Sequence, residues 1–360
     1  MGSSSPIKIA VIGTGLIGPR HAQAVLNEPD AILSCVVDPS PAAEAVAKQL
    51  KVPRYASVQQ LLASSSKPDA AIVCTPNHTH VPISKELLDG GIHVLCEKPI
   101  SIDIPSGQDL IQHAASLNLH LLIGHHRRFN RYIITTKRLL TFQSLGRIIA
   151  VSGLWTLYKP PSYFDAPTEW RRTASGGPIL INLIHEIDIL HHLLGPIVRV
   201  SAEATPSQRG HEAEEGAAIL LRFASGAVGT FVLSDAVPSP YNFEAGTGEN
   251  PTIPVTGQDI YRIFGTEACL SVPDMRLWSY GQGEKSWTSG MREEVVGVEE
   301  MRVPFELQVA HLVRVVRGVE APSCSGLDGL RAVVVCDAVK RALETGGLLI
   351  YHLRAFKRVD

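Results

Sequence analysis

Five short apolar runs in the first third of the chain lack polar alternation: IKIAVIG (7–13), AILSCVVD (31–38), DAAIVCTP (69–76), IHVLCEKP (92–99) and LHLLIGHH (119–126). A strand that is apolar on both faces must be covered on both faces. Helical stretches at 19–27, 41–50, 57–63, 80–89 and 105–117 supply that cover. Strand–helix alternation of this kind predicts a parallel sheet between two helix layers, an α/β domain spanning 1–126. The pattern then changes, and 127–360 reads as a second domain. It opens with a helix at 132–143 and a longer strand at 147–159, then an aromatic, Pro-rich loop at 160–174. VRVSAEAT, GAAILLRFASGAVGTFVLSD and YRIFGTEACLSV read as antiparallel strands, with a hairpin turn at 224–226. Residues 236–258 and 281–300 read as loops, and 303–318 and 326–347 as closing helices.

The composition excludes several classes of function. Hydrophobic residues make up 45% of the 360 and charged residues 19%, enough for a sizeable core. A net charge of −2 and 6% aromatics leave neither a basic stripe nor a stacking surface for nucleic acid. No apolar run reaches the roughly 18 residues of a membrane span. MGSSSPIKIAVIG has no basic n-region for secretion, and after Met1-Gly2 the residue needed as Ser or Thr for myristoylation is Pro6. Six cysteines (Cys35, Cys74, Cys96, Cys269, Cys324, Cys336) show no CxxC spacing. Three of them lie in or beside apolar strands, which points to reduced, packed thiols and a cytoplasmic location.

IAVIGTGLIGPRH places Gly13, Gly15 and Gly18 in G-x-G-x-x-G spacing, directly after a strand and before a helix. Such glycines make a tight turn and let backbone approach a pyrophosphate at a helix N-terminus. Gly13, Thr14, Gly15, Leu16, Ile17 and Gly18 are therefore candidate cofactor-binding residues. The alternative is a glycine-rich turn with no ligand. Asp38 ends the second strand, where a carboxylate accepts from an adenosine ribose and repels a 2′-phosphate. Pro39 and Ser40 follow it without an Arg or Lys, so NAD is expected over NADP.

Two further features carry chemistry. CEKPI (96–100) puts Glu97 and Lys98 at the C-terminal end of a buried strand, where ligands of open α/β sheets lie. A Lys beside an oxidised nicotinamide should have a lowered pKa and accept a proton from an alcohol. The alternative is a surface Lys paired with Glu97. The second feature is SGGPILINLIHEIDILHHLLG (175–195), an apolar helix with Asn182, His185, Asp188 and His192 along one side. At about 100° per residue, His185, Asp188 and His192 fall near 300°, 240° and 280° from Asn182. The stripe could be a set of satisfied core groups, a metal site on His185, Asp188 and His192, or a catalytic face with His185 as acid/base. No fourth ligand stands nearby, so no metal is expected.

GTGLIGPRH, TPNHTHVPISKELLDGGIHVLCEKPIS, GHHRRFN, EWRRTASGGP, IHEID and the late DGLRAVVVCDAVKRALETG together resemble the Gfo/Idh/MocA oxidoreductases. The resemblance covers nearly the whole chain. It implies an N-terminal Rossmann domain and a C-terminal α/β domain with a large, mostly antiparallel open sheet. It also implies NAD or NADP, and hydride transfer at a hydroxyl-bearing carbon of a sugar or cyclitol. Lys98 resembles the family's catalytic lysine, which touches both the nicotinamide ribose and the substrate, and Glu97 its cofactor-contacting acid. Thr75, Asn77 and His80 fall in the loop along the cofactor, and Trp170 and Arg171 resemble a pair reaching it from the second domain. Arg127 is expected near the nicotinamide and substrate, and His125 is a candidate substrate contact. The family's helix pattern is Asp, three residues, His, two residues, Asp. His185 and Asp188 match, but the first Asp is replaced by Ile181 and Asn182 follows one residue later.

These readings imply a dehydrogenase in which Lys98 and His185 bracket the reacting oxygen while Asn182, His125 and Arg127 position hydroxyls. The alternatives are an enzyme that uses tightly bound NAD transiently for epimerisation or elimination, a non-catalytic NAD-binding regulator, and a substrate that is a polyhydroxy acid paired by Arg127 or Arg171. The partner expected is a small polyhydroxylated molecule, with no nucleic acid and no membrane. A large open sheet needs cover, so a homodimer or homotetramer formed through it is expected.

Overall fold

The structure is a computed structural model that describes residues 5–346 and 349–350. Met1-Gly2 and Gly347, the last residue of the expected 326–347 helix, lie outside the described residues. The chain divides into two compact units, one running to Phe129 and including Met301–Val333, the other Asn130–Glu300 with the chain from Val334 onward.

The first unit holds strands β1 (Ile7–Ile12), β2 (Ala31–Val37), β3 (Arg54–Tyr55), β4 (Ala70–Val73), β5 (His93–Cys96) and β6 (Leu121–Ile123). They form a parallel sheet in the order β3-β2-β1-β4-β5-β6. The order reverses between β1 and β4, the switch point at which open α/β sheets bind ligands. Helices α1 (Gly18–Leu26), α2 (Ala43–Leu50), α3 (Val58–Leu62), α4 (His80–Asp89) and α5 (Ile104–Ser116) connect the strands. Ile9, Val11, Ala70, Ile72 and Leu95 are essentially fully buried, as continuous apolar strands require.

A further helix in this unit comes from far down the chain. Residues 301–333 were expected with the second domain, but α9 (Pro304–Val316) packs its apolar stripe on the first. Phe305, Val309, Leu312 and Val313 share one core with Ala22 and Val25 of α1 and with Ile9 of β1. Sequence adjacency does not reveal that this helix covers α1.

The second unit contains α6 (Arg131–Thr141), β7 (Ile148–Thr156), α7 (Ile184–Leu194), β8 (Ile197–Ala204), β9 (Gly216–Phe223), β10 (Val228–Ser234), α8 (Phe243–Thr247), β11 (Tyr261–Gly265), β12 (Ala268–Val272), β13 (Arg276–Ser279), β14 (Arg292–Val295) and β15 (Leu349–Ile350). The helix α10 (Gly326–Thr345) runs from the first unit into the second. The strands form a sheet in the order β14-β13-β12-β11-β7-β10-β9-β8-β15. Its strand pairs are antiparallel except β7 with β10, giving the mostly antiparallel open sheet expected. Strand β14 lies within the stretch read as loop, because its four residues, REEV, are all exposed and carry no apolar alternation. Strands β9 and β10 alternate buried and exposed residues, so one sheet face is packed and the other carries Leu220, Val228, Val232 and Phe264 in the open.

The segment expected as one regular helix over 175–195 divides in two. Ile179–Leu183 is a π-turn, and α7 follows it. Pro178 lacks an N–H, and the Ile179 N–H donates to Glu214 Oε1 at 3.0 Å instead of to a helical carbonyl. Gly177, at φ +31°, lies where any Cβ would strike the Glu214 carboxylate. The 100° arithmetic therefore fails across Asn182. π-turns of this kind concentrate at functional sites.

Candidate functional site

The glycine turn has the shape a dinucleotide needs. Gly13 adopts φ +93°, and a Cβ there would stand 2.7 Å from the Cys74 carbonyl oxygen. A Cβ on Gly18 would collide with the Gly13 carbonyl, so α1 packs against the turn only with glycine at that position. Gly15 has open space where its Cβ would be, and Leu16 is 93% exposed. No side chain caps the start of α1, and its first turn carries no acid. Backbone N–H groups on an open face at an uncapped helix N-terminus suit a pyrophosphate. Thr14, Leu16 and Ile17 complete the loop.

Asp38 braces this turn. Its Oδ2 accepts from the Thr14 backbone N–H and hydroxyl, both at 2.8 Å, and its Oδ1 accepts from the Ser40 N–H. Burial would raise its pKa, but these donors and the charge of Arg54 hold it below the ordinary carboxylate value. Oδ2 is filled by its two Thr14 donors, while Oδ1 retains a lone pair for a ribose hydroxyl. Sequence reading found no Arg beside Asp38. The fold brings Arg54 there from β3, where it donates to the Asp38 and Pro39 carbonyls at 2.9 and 3.2 Å.

At the end of β5, Glu97 is buried and both its oxygens have donors. Oε1 meets His21 Nε2 at 2.7 Å, and Oε2 accepts from the Lys98 backbone N–H at 3.1 Å. Burial pushes its pKa up, but His21, with the charges of His126 and Lys98, pulls it down to about 2. A Cβ on Gly124 would sit 2.8 Å from Glu97 Oε1, so the carboxylate fits only against glycine. Sequence reading missed His21, which appeared only as a helix residue after the glycine motif. Lys98 follows Glu97 and is half-buried.

Thr75 is half-buried and Asn77 exposed at the end of β4. His80 departs from its expected role as a cofactor contact. It is 1% exposed, with Nδ1 2.7 Å from the Pro99 carbonyl and Nε2 2.8 Å from the Thr75 carbonyl. Carbonyls only accept, so both ring nitrogens carry protons and neither is left for a cofactor. Burial opposes this charge, but the Cys96 sulfur and the two carbonyls overcome it and raise the pKa from 6.5 to about 9. His80 thus clamps the Thr75 loop to the Lys98-Pro99 segment. Because the folded pKa lies above the unfolded one, the stabilisation is complete below pH 6.5 and is lost as pH rises through 9. Denaturant unfolding should show wild type losing up to roughly 3 kcal/mol more than His80→Gln across that window. Equal pH slopes would refute the charged assignment.

His125 and Arg127, expected to contact substrate, are 1% and 4% exposed. His125 follows β6 and is enclosed within the first unit. Its neighbour His126 stacks on Phe305 of α9, with ring centroids 4.4 Å apart.

In the second unit, α7 carries His185 at 7% exposure and Asp188 at 1%. Glu186 is fully buried and accepts a hydrogen bond from the Tyr261 hydroxyl, which anchors α7 to β11. Asn182, on the π-turn, accepts from Lys159 Nζ at 2.8 Å. Lys159 was missed because it appeared only as the end of a strand. It is 7% exposed and stands 3.3 Å from Asp235 Oδ2. Burial lowers its pKa, against the pull of Asp235. Arg171 lies over the Tyr163 ring at 3.8 Å, donates to the Tyr163 carbonyl, and lines one small cavity with Lys159, Ile181, Arg209 and Asp235. Trp170 is 47% exposed. Among the described residues no cluster of three His, Cys, Asp or Glu could hold a metal.

Two family models match the chain. "Oxidoreductase family, NAD-binding Rossmann fold" covers residues 7–125, and "Oxidoreductase family, C-terminal alpha/beta domain" covers 137–350. The chain is 25% identical to the myo-inositol 2-dehydrogenase of Thermotoga maritima over 344 residues, 94% of this chain and 96% of that one. It is 27% identical to the scyllo-inositol 2-dehydrogenase (NAD(+)) of Bacillus subtilis over 66% of this chain and 70% of that one. The WlbA dehydrogenase of Bordetella pertussis, solved with NADH and UDP-GlcNAcA, shares the fold at TM-score 0.74 and 22% identity, covering 96% of this chain and 98% of that one.

Proposed function

This chain belongs to the Gfo/Idh/MocA oxidoreductase family, with an NAD-binding Rossmann domain, and from that premise we propose that it oxidises or reduces a CH–OH carbon of a sugar, cyclitol or related polyhydroxylated molecule. The observation that carries this reading is Lys98, half-buried at a strand end of the same sheet whose first strand leads into the open glycine turn. When bound, NAD supplies the hydride acceptor for oxidation and, reduced, the donor for reduction. Gly13, Thr14, Gly15, Leu16, Ile17 and Gly18 would hold its pyrophosphate and Asp38 its adenosine ribose. Thr75, Asn77, Glu97, Lys98, Arg127, Trp170 and Arg171 are the further candidate contacts.

Lys98 and His185 handle the proton of the substrate hydroxyl, one accepting it and the other orienting the oxygen. Asn182 positions a neighbouring substituent. The inositol dehydrogenases named above favour a cyclitol or sugar. Asp38, whose charge repels a 2′-phosphate, favours NAD over NADP, and Arg54 beside it turns its Nη2 to the Asp38 and Pro39 carbonyls.

A screen of sugars, cyclitols and their keto forms, run in parallel with NAD and NADP, tests the proposal through NADH absorbance. Redox change with a polyol and NAD supports it. Isomerised product without NADH accumulation would move the reading to transient use of NAD, and nicotinamide that never changes redox state would make the chain a regulator.

The open sheet face bearing Leu220, Val228, Val232 and Phe264 is the surface we assign to a homodimer or homotetramer. Light scattering should show the larger species, and a strict monomer at working concentration would refute it. The described cysteines, four of them buried, suit a reducing, cytoplasmic setting. No helix among the described residues is long and apolar enough to cross a membrane.

A further inference from the structure

His21 lies on α1 three residues after Gly18, and its side chain is fully buried. A carboxylate only accepts, so the His21 Nε2–H donates to Glu97 Oε1 across 2.7 Å. The other ring nitrogen, Nδ1, is enclosed and has no hydrogen bond among the described residues. Phe305 of α9 packs edge-on against the ring, with centroids 4.9 Å apart. A buried polar group left half unanswered weakens a core, and an aliphatic side chain would fill the same space without that cost. What His21 adds is its one bond, to Glu97. That bond sets the orientation of the carboxylate. With Oε1 on His21, Oε2 meets the Lys98 backbone N–H at 3.1 Å. Gly124 closes a third side, since a Cβ there would lie 2.8 Å from Oε1.

We propose that His21 is a positioning residue for Lys98: it orients Glu97, which holds the Lys98 backbone, and so ties the Lys98 segment to the helix that begins at the cofactor turn. This deepens the CH–OH oxidoreductase reading and rests on it. The link is strongest with Glu97 ionised, because an ionised acceptor makes the stronger hydrogen bond to an N–H. The groups that face Glu97 are His21 from α1, Cys74 from β4, His126 from the turn after β6, and Lys98 beside it. Burial pushes the carboxyl up, but His21, with the charges of His126 and Lys98, brings it down to about 2. Glu97 therefore stays ionised across the working pH range, and its hold on Lys98 does not vary with pH. Without the His21 donor, burial gains the upper hand and the carboxyl should protonate in mildly acidic solution.

Carbon-13 resonances of labelled glutamate side chains, with Glu97→Gln to assign the signal, follow this ionisation without turnover. Wild type should show no titration of Glu97 above about pH 4, and His21→Leu should show one. In kcat–pH profiles with NAD and an accepted polyol, His21→Leu should gain an acid limb at the same ionisation. Below it kcat should fall by up to about a hundredfold, the cost of a displaced reacting group, while KM for the polyol changes little. His21→Gln, whose amide can still donate to Oε1, should restore most of the loss. Gly124→Ala crowds the same oxygen with His21 intact, should show the same limb, and covers the case of a His21→Leu that does not fold. A His21 that serves only packing would lower rate and stability alike at every pH. Profiles of wild-type shape in the variants that fold, or a wild-type Glu97 that titrates above about pH 4, would overturn the inference and leave the oxidoreductase reading standing. Wild type that turns over no polyol or keto form would overturn that reading, and the inference with it.

Discussion

Replacing Lys98 by Ala should lower kcat by about three orders of magnitude, the range over which a positioned acid–base group contributes. Binding of NAD should stay within a few-fold of wild type. The two effects separate because the groups are separate. The glycine turn and Asp38 are built from β1, the start of α1 and the end of β2, and none of their hydrogen bonds passes through the Lys98 side chain. The Lys98 backbone is also pinned from both sides, since its own N–H donates to Glu97 Oε2 and His80 holds the Pro99 carbonyl. Loss of the side chain should therefore leave the loop where it is, so that the effect reports chemistry and not misfolding. Lys98→Arg sharpens the result. Guanidinium keeps the charge but does not release its proton near neutral pH. If Lys98 served only as a cation, the Arg variant would retain activity; as a proton acceptor, it should be nearly as inactive as Ala. Turnover of Lys98→Ala within about tenfold of wild type would remove the residue from the mechanism.

The first unit was largely legible in the sequence because its information is local. Apolar runs such as AAIV, buried at every position, can only be central strands, and the glycine spacing announces its own backbone demands. What the sequence hid depends on long-range partners. His21 became a site residue through Glu97, which is 76 positions away, and Arg54 reached Asp38 from a two-residue strand with no apolar signature. Helix α9 declared an apolar stripe but not which sheet would receive it. The helical wheel drawn from Asn182 to His192 assumed a uniform turn, and Pro178 with the Glu214 contact made the entry π-wound. His80 shows the limit most clearly. Its type and position suggested a ligand contact, but the fold spends both ring nitrogens on carbonyls, a pairing that spacing does not encode.

Replacing His185 by Ala should lower kcat by about two to three orders of magnitude and remove one ionisation from the pH–rate profile. A base must be deprotonated to accept the substrate proton, so in the oxidising direction the rate rises with pH as the accepting groups lose theirs. With His185 gone, its limb of that rise should flatten, and the ionisation carried by Lys98 should remain. Packing offers a competing explanation, because His185 sits 7% exposed on a helix whose neighbours Ile184, Ile187 and Asp188 are buried. Tyr261→Phe separates the two. It removes the donor to Glu186 that ties α7 to the sheet, and should cost about 1–3 kcal/mol of stability. If His185 acts only by packing, Tyr261→Phe and His185→Ala should both lower the rate without altering the shape of the profile. If His185 handles the proton, only its own replacement changes that shape. A His185→Ala profile that superimposes on wild type after scaling would leave Lys98 as the sole proton-handling group and would reduce the α7 stripe to core polarity.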